Sequence, residues 1–217
     1  MVKKPRITPE FDPACTRCPR ITRHLNSVRE LYPVYHAAPV APFGVRSPAL
    51  LIVGLGPGMH GANATGRPFT GDYAGILLYK MLYEFGFSNK PESVNANDGL
   101  VLKDCRITNA VKCLPPENKP LNSEVRNCNS YLRAELTAIK NKLIVLVLGR
   151  IAHDAVLRAL DLKLRKFMFS HNALHILDDR RYLLDSYHCS RYNTQTRRLT
   201  EAMFRNVFET AAGIING

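Results

Sequence analysis

The sequence lacks any apolar run long enough to cross a bilayer. Its longest apolar runs, such as Leu143–Leu148, have the length of buried strands. The charged residues 1–6 lead into proline and acidic residues and not into the apolar stretch of a signal peptide. We therefore expect a protein that stays inside the cell and has no membrane role.

Acidic residues are scarce relative to basic ones. The chain has 18 Asp and Glu against 30 Lys and Arg, a formal net charge of +12 and a pI near 9.6. Such a chain attracts polyanions over long range, which favours a nucleic-acid partner. A generically basic protein without such a partner remains the alternative, because net charge informs association and not fold.

Strand patterns and helix patterns alternate along the chain. With 217 residues, 46% of them hydrophobic, it can bury one sizeable core, and we expect a single domain over residues 1–217. Alternation of this kind predicts a three-layer α/β/α fold around a mainly parallel four-stranded sheet. The strands are predicted at 50–53, 105–111, 143–148 and 181–187, and the helices at 74–85, 122–142, 151–160 and from 199 onward.

The segments outside this alternation are expected to form a helix cap, surface segments and ligand-binding loops. Asn122 is the predicted cap of the second helix. The Pro- and Arg-rich segment 1–48 and the polar stretch 88–98 are expected to be surface or accessory segments. Ligands of open parallel sheets bind beyond the carboxyl ends of the strands, where the sequence places the loop after Gly54, Asn109 and His188.

Six cysteines in an intracellular chain argue against a disulfide framework. Cys15 and Cys18 form a C-x-x-C pair, and Cys113 and Cys128 follow later. Four thiolates can hold zinc or an iron–sulfur cluster, and such a site would tie segment 1–48 to the body of the domain. The alternative is buried free thiols at Cys113 and Cys128, with a zinc or redox role for the pair. Cys105 and Cys189 lie outside the proposed set.

The loop after the first strand, residues 54–75, is dense in glycine but matches neither common phosphate-binding pattern. A dinucleotide-binding loop needs glycine where Met59 stands, and a P-loop needs Gly-Lys-Ser or Gly-Lys-Thr. The loop does offer backbone amides, the aromatic ring of Phe69 and the carboxylate of Asp72, which directly precedes a helix N-terminus.

Three motifs resemble, in order, those of the type 5 (type B) uracil-DNA glycosylases: residues 54–72, 108–116 and 188–200. The resemblance implies a uracil-DNA glycosylase-like fold with a [4Fe-4S] cluster on Cys15, Cys18, Cys113 and Cys128. It also implies hydrolysis of the N-glycosidic bond of uracil in double- or single-stranded DNA after base flipping, with hypoxanthine and other deaminated bases as further substrates. Cys189 stands where the family usually has proline, and Leu55 replaces the acidic residue of type 4.

The motifs supply candidate roles. Phe69 would stack on the flipped base, and Asp72 would stabilise the cationic sugar, orient water or act as general base. His188 would donate to a uracil carbonyl, while Asn109 would bind the base edge or the attacking water. Structural explanations compete: a core phenylalanine, a carboxylate serving only the helix dipole, and a turn-forming asparagine.

Two larger sets complete these expectations. Further substrate-binding candidates in the first motif are Gly54, Leu55, Gly56, Pro57, Gly58 and His60. Contacts to DNA phosphates are expected from the third motif, although a solvated basic face would look the same; the residues are Ser190, Arg191, Asn193, Thr194, Arg197 and Arg198. We expect a monomer with no lyase activity. The rival hypotheses are another iron–sulfur enzyme of nucleic acids and a non-catalytic DNA-binding module stapled by zinc or iron–sulfur.

Overall fold

The computed structural model describes residues 11–217 and centres on a six-stranded sheet. Its strands are β1 Phe43–Gly44, β2 Leu50–Gly54, β3 Cys105–Asn109, β4 Leu143–Leu148, β5 Leu174–Ile176 and β6 Arg181–Ser186, in the spatial order β1-β3-β2-β4-β6-β5. The four predicted strands run parallel in the middle. The predicted count of four is wrong because β1 and β5 add antiparallel edges. These edges are too short and too exposed to show an alternating pattern.

Helices cover both faces of the sheet, as predicted. They are α1 Pro19–Leu31, α2 Ala62–Thr65, α3 Tyr73–Glu84, α4 Asn122–Ala138, α5 Arg150–Ala159, α6 Arg191–Gln195 and α7 Glu201–Asn216. On one face α3 and α7 pack against Leu50 and Ile52 of β2, and on the other α1, α4 and α5 pack against Leu51 and Val53. Within residues 11–217, no helix combines the length and apolarity needed to span a bilayer.

Part of segment 1–48 belongs to the core, so its assignment as an accessory segment is wrong there. Residues 1–10 lie outside the described part of the chain. Helix α1 buries Ile21, Leu25 and Val28, which are 1–3% exposed and share one helical face. Its prolines and arginines masked this pattern in the sequence, but Pro19 stands in the first turn, where proline is tolerated.

A buried carboxylate joins α1 to α4. Arg20 donates from Nε to Oε1 of Glu124 at 2.9 Å and from Nη2 to Oε2 at 2.7 Å. Oε2 also accepts from the backbone N–H of Leu121 at 2.7 Å. Leu121 is therefore the N-cap residue, and the prediction that Asn122 caps α4 is wrong. The helix ends before the predicted residue 142, because the buried Ile139 is already extended.

The polar stretch 88–98 is mostly exposed, as expected, but it also supports the glycine-rich loop. The buried Arg67 donates to Asp98 Oδ1 at 2.8 Å and to Ser93 Oγ at 3.0 Å. Burial alone would raise the pKa of Asp98, but Arg67 and backbone N–H donors lower it to about 2. The loop that carries the first motif is therefore fixed by an ion pair from a segment outside the three motifs.

The ion pair between Arg20 and Glu124 generates a stability prediction. Glu124→Gln keeps the shape and removes the charge, and we expect a loss of about 1 kcal/mol, the usual difference between charged and neutral hydrogen bonds. The measurement is urea denaturation at neutral pH. Glu117→Gln is the matched control, because the Glu117 side chain is 80% exposed, and it should leave the midpoint unchanged.

The same variant has a defined pH dependence. Arg20 and the N–H of Leu121 lower the pKa of Glu124, so its contribution is complete above the ordinary value of 4.5 and is lost as pH falls through the lowered value. The stability difference between the parent and Glu124→Gln should therefore shrink in acid. A difference that stays constant across this range would contradict the assignment.

Candidate active site

A cavity of about 290 Å³ opens at the carboxyl edge of the parallel strands. It lies where the sequence placed the ligand site, beyond the ends of β2 and β6. Phe69, Asp72 and His188, which come from the first and third motifs, all line it. Five other predicted residues line it as well: Leu55, Gly56, Gly58, Ser190 and Arg191.

Asp72 both caps α3 and borders the cavity. Its Oδ1 accepts from the backbone N–H of Gly75 at 2.9 Å. Its Oδ2 lies under the loop, where a Cβ added at Gly61 would be 2.5 Å away. Burial raises the pKa of the carboxyl, against the opposing effect of the N–H groups of Gly75 and Ala74. The capping role and the cavity position therefore coexist.

Phe69 is held in place by close contacts with glycines. Its backbone has φ 54°, a left-handed conformation that is unusual for an aromatic residue, and the side chain is buried. A Cβ at Gly54 would lie 2.6 Å from Phe69 Cζ and 2.5 Å from Asn109 Oδ1. A Cβ at Gly75 would lie 1.9 Å from the Phe69 carbonyl oxygen. Local backbone strain of this kind clusters at binding sites.

His188 faces Phe69 with its ring. The two ring centroids are 5.9 Å apart with an interplanar angle of 26°. Burial lowers the pKa of His188 to about 4, so the imidazole is neutral at neutral pH and has one N–H to donate. Its Nδ1 and the Oδ1 of Asn109 are buried and have no hydrogen-bond partner among the described residues.

Other predicted substrate-binding residues do not line the cavity. Gly54 and Asn109 lie behind Phe69, and Pro57 is buried beneath the loop. His60 is exposed, and its Nδ1 is 2.8 Å from the hydroxyl of Tyr35. The sequence order of a motif therefore does not decide which of its side chains reach the cavity.

The predicted DNA-binding residues divide into two groups. Asn193 and Thr194 have internal partners: Asn193 Nδ2 donates to the His188 carbonyl at 2.8 Å, and Thr194 Oγ1 donates to the Ser190 carbonyl at 3.2 Å. Ser190 caps α6. The three arginines of the set are exposed: Arg191 lines the cavity, and Arg197 and Arg198 follow α6 in the chain.

Sequence analysis missed two polar residues of the cavity wall, Asn118 and Tyr73. Asn118 and its neighbour Glu117 both have φ 56°, in a turn that follows Pro115. Asparagine tolerates this left-handed conformation, so its position just after the second motif was the available signal. Tyr73 is 42% exposed, and the guanidinium of Arg191 lies 5.9 Å from its ring centroid.

The four predicted metal ligands, Cys15, Cys18, Cys113 and Cys128, together line a second cavity, called here the cysteine cavity. Cys15 and Cys18 precede α1, Cys113 follows β3, and Cys128 lies on α4. The backbone N–H of Lys112 donates to Cys128 Sγ at 3.2 Å. Burial raises the pKa of the Cys18, Cys113 and Cys128 thiols, that of Cys113 to about 12. Cys105 and Cys189, which lie outside the proposed set, are buried in the core on the face of the sheet covered by α3 and α7.

A cluster of two histidines and an aspartate lies near the start of the third motif. The ligand atoms of His153, His175 and Asp185 lie within 4.8 Å of one another. His153 has oxygen partners on both ring nitrogens, Asp185 Oδ1 at 2.7 Å and the Phe167 carbonyl at 3.0 Å. Burial lowers the pKa of His153, but Asp185 more than offsets this and the net shift is upward. The cluster is therefore a hydrogen-bonded group inside the protein, centred on Asp185 of β6.

Comparisons with known proteins agree with this geometry. The family model of the uracil DNA glycosylase superfamily matches residues 41–212. A type-5 uracil-DNA glycosylase of Thermus thermophilus is 43% identical over 203 residues, which cover 91% of this chain and 92% of that protein. Another, from Pyrobaculum aerophilum, is 40% identical over 202 residues, with 91% and 88% coverage.

A solved structure, that of SMUG2 from Pedobacter heparinus, aligns with a TM-score of 0.48 and 15% identity over 78% of this chain and 76% of that chain. The family model and the type-5 relatives each span most of the chain. The chain therefore belongs to the uracil-DNA glycosylase superfamily, among its type-5 members.

Proposed function

We propose that this DNA repair glycosylase flips uracil into the cavity of Phe69, Asp72 and His188 and hydrolyses its N-glycosidic bond, leaving an abasic site. The convergence of these three side chains on one cavity carries the proposal. Its volume of about 290 Å³ suits a single base with part of its sugar. Flipping costs a few kcal/mol, and binding inside the cavity offsets that cost.

The base is bound by stacking and by hydrogen bonds. Phe69 offers an aromatic face, and stacking on such a face contributes on the order of 1–3 kcal/mol. Uracil carries two carbonyl acceptors and one ring N–H. The neutral His188 donates to a carbonyl. Asn109 lies behind Phe69 and outside the cavity lining, but its buried Oδ1 has no partner among the described residues, so it stays a candidate acceptor for the ring N–H of the base. Asn118 is a further candidate for contact with the base, since it lines the same wall.

Bond cleavage separates charge, and the two ionisable side chains match its signs. The C1′–N1 bond breaks with its electron pair moving to the base, so the sugar becomes cationic and the base anionic. Ionised Asp72 stabilises the sugar cation and accepts a proton from the water whose oxygen then bonds to C1′. Neutral His188 donates its N–H to the anionic base without adding a full charge to the cavity.

The exposed arginines of the third motif hold the DNA backbone. Arg191 lines the cavity, the exposed Arg197 and Arg198 follow α6, and the chain carries a net charge of +12. Phosphate contacts of this kind position DNA without reading its sequence, so recognition rests with the flipped base. Double-stranded and single-stranded DNA are both proposed as substrates, because neither feature requires a complementary strand.

The alternative functions are less well supported by the same cavity. Two-metal nuclease chemistry needs clustered acidic ligands, and Asp72 is the only carboxylate among the described residues that line the cavity. No lysine lines it either within residues 11–217, so a Schiff-base lyase step has no amine there. We therefore infer a monofunctional glycosylase. Hypoxanthine and other deaminated bases are proposed as further substrates, because they share the carbonyl that His188 would contact.

We also propose that Cys15, Cys18, Cys113 and Cys128 hold a [4Fe-4S] cluster. Ligands of one tetrahedral zinc ion lie at Zn–S distances of about 2.3 Å, which requires the four sulfurs to be close together. Among the described residues, the group of three or more ligand atoms close enough to share an ion is His153, His175 and Asp185, not the cysteines. A cluster places several iron atoms between its ligands and so suits wider spacing. When bound, it supplies a covalent link between α1, β3 and α4 and a redox-active group.

Asp72→Asn tests the catalytic proposal. We expect uracil release from duplex DNA to fall on the order of 10²–10³-fold in single-turnover assays, because the carboxylate charge that stabilises the sugar is lost. Asp179→Asn, at an exposed residue, is the matched control and should retain the parent rate. Parallel assays with hypoxanthine- and xanthine-containing duplexes define the base range. Parent-like rates for Asp72→Asn would exclude a catalytic role for its charge.

The pH dependence of base release tests the protonation states. Because the pKa of Asp72 is raised, the rate should rise with pH through a value above the ordinary 3.8. Because the pKa of His188 is lowered to about 4, the imidazole stays neutral above that value. The contrary result is an inflection of the rate near pH 6.5, the ordinary pKa of histidine, that disappears in His188→Ala. It would show that His188 has the pKa of a solvent-exposed histidine and would contradict this assignment.

Iron analysis tests the cofactor. We expect the purified chain to contain iron and acid-labile sulfide and to absorb visible light. Cys113→Ser should lose iron and absorbance, whereas Cys105→Ser, at a buried cysteine outside the set, should keep both. Zinc in place of iron would overturn the cluster proposal and leave the glycosylase proposal intact.

A further inference from the structure

Tyr131 borders the cysteine cavity with an unused hydroxyl group. It lies on α4 one turn after Cys128 and lines the same cavity as the four cysteines. The residue is 2% exposed, and its hydroxyl has no hydrogen-bond partner by ordinary geometry among the described residues. The hydroxyl is therefore a buried polar group without a partner at the wall of the cysteine cavity.

Two of the four cysteine sulfurs already have hydrogen-bond donors from the protein. The backbone N–H of Lys112 donates to Cys128, and Asn127 Nδ2 lies 3.7 Å from Cys18 Sγ in donor geometry. Among the described residues, neither the Cys15 sulfur nor the Cys113 sulfur accepts such a hydrogen bond. Tyr131 contacts Arg17, two residues after Cys15, so Cys15 is the sulfur that its hydroxyl is best placed to serve.

The ring of Tyr131 is clamped in its position. The guanidinium of Arg17, which stands between the two cysteines of the C-x-x-C pair, lies 4.5 Å from the ring centroid. Arg17 is itself anchored by a 2.9 Å hydrogen bond to Ser130 Oγ. On another side the ring of Phe11 contacts Tyr131 edge to face, with centroids 6.1 Å apart. A clamped ring fixes where its hydroxyl points.

Tyr131 also separates two cavities. It lines the cysteine cavity and also a neighbouring surface cavity of about 310 Å³, which is bordered by Arg46 and Arg106. The ring is thus the partition between the cysteines and a space that solvent can reach. Removing the ring would open the cysteines to small oxidants from that side.

We propose that Tyr131 controls the cluster: its hydroxyl donates a hydrogen bond to the Cys15 sulfur, and its ring closes the cluster off from the adjoining cavity. This inference rests on the proposed [4Fe-4S] cluster. A donor to a ligating sulfur stabilises the more negative, reduced state, so it raises the reduction potential. No proton leaves Tyr131 in this role, and it is a positioning residue rather than a catalytic one.

Tyr131→Phe in the iron-loaded protein removes the hydroxyl and keeps the ring. We expect its one-electron reduction potential, measured by voltammetry on an electrode, to shift to a more negative value than that of the parent. The iron–sulfur stretching frequencies in the resonance Raman spectrum should rise, because a hydrogen bond to sulfur weakens the iron–sulfur bond. Tyr83→Phe, at a tyrosine 49% exposed on α3, is the matched control and should change neither.

Tyr131→Leu removes the partition. We expect its visible absorbance to decay faster in air than that of the parent, while Tyr131→Phe decays at a rate closer to the parent because its ring remains. A parent-like potential and Raman spectrum in an iron-loaded Tyr131→Phe would overturn the hydrogen bond and leave the cluster standing. A parent protein without iron and sulfide would overturn both proposals, so the two failures are distinguishable.

Discussion

The site depends on one geometric constraint, the shared carboxyl edge of four parallel strands. Strands β2, β3, β4 and β6 are nearly all buried, so their direction is set by the core and not by the loops. Residues that directly follow these strands must then meet at the same edge. Leu55 after β2 and His188 after β6 reach one cavity for this reason, although the first and third motifs are far apart in the sequence.

Glycine makes that convergence tight. Gly54, Gly61 and Gly75 stand where any side chain would collide with Phe69, Asn109 or Asp72. These glycines act by the absence of a Cβ, since none of the three has a positive φ. The same closeness desolvates Asp72 and His188, and burial moves their pKa values in opposite directions, upward for the acid and downward for the base. Fixed groups in a site with little water act strongly on the charges that bond cleavage creates.

The N-terminal part of the described chain is held by several independent contacts. Helix α1 contributes to the core, and Arg20 pairs with Glu124. Cys15 and Cys18 line the same cavity as Cys113, which follows β3, and Cys128 of α4. Metal binding would add to this attachment and is not its only source. Tyr131 lies where these contacts meet, which is why a single residue of α4 can contact the C-x-x-C segment and shield it.

The sequence by itself determined the class of fold, the four central strands and the three motifs, because buried runs, helical periodicity and motif spacing are local patterns. It also identified Phe69, Asp72, His188 and the four cysteines as groups. It missed the helices α1, α2 and α6 and the strands β1 and β5, and it did not reveal Asn118, Tyr73 or Tyr131. Only the tertiary structure decided which motif residues line the cavity and which, like Asn193 and Pro57, are used internally. The physical reason is that burial, pKa shifts and cavity walls arise from contacts between segments far apart in the chain, which no local pattern records.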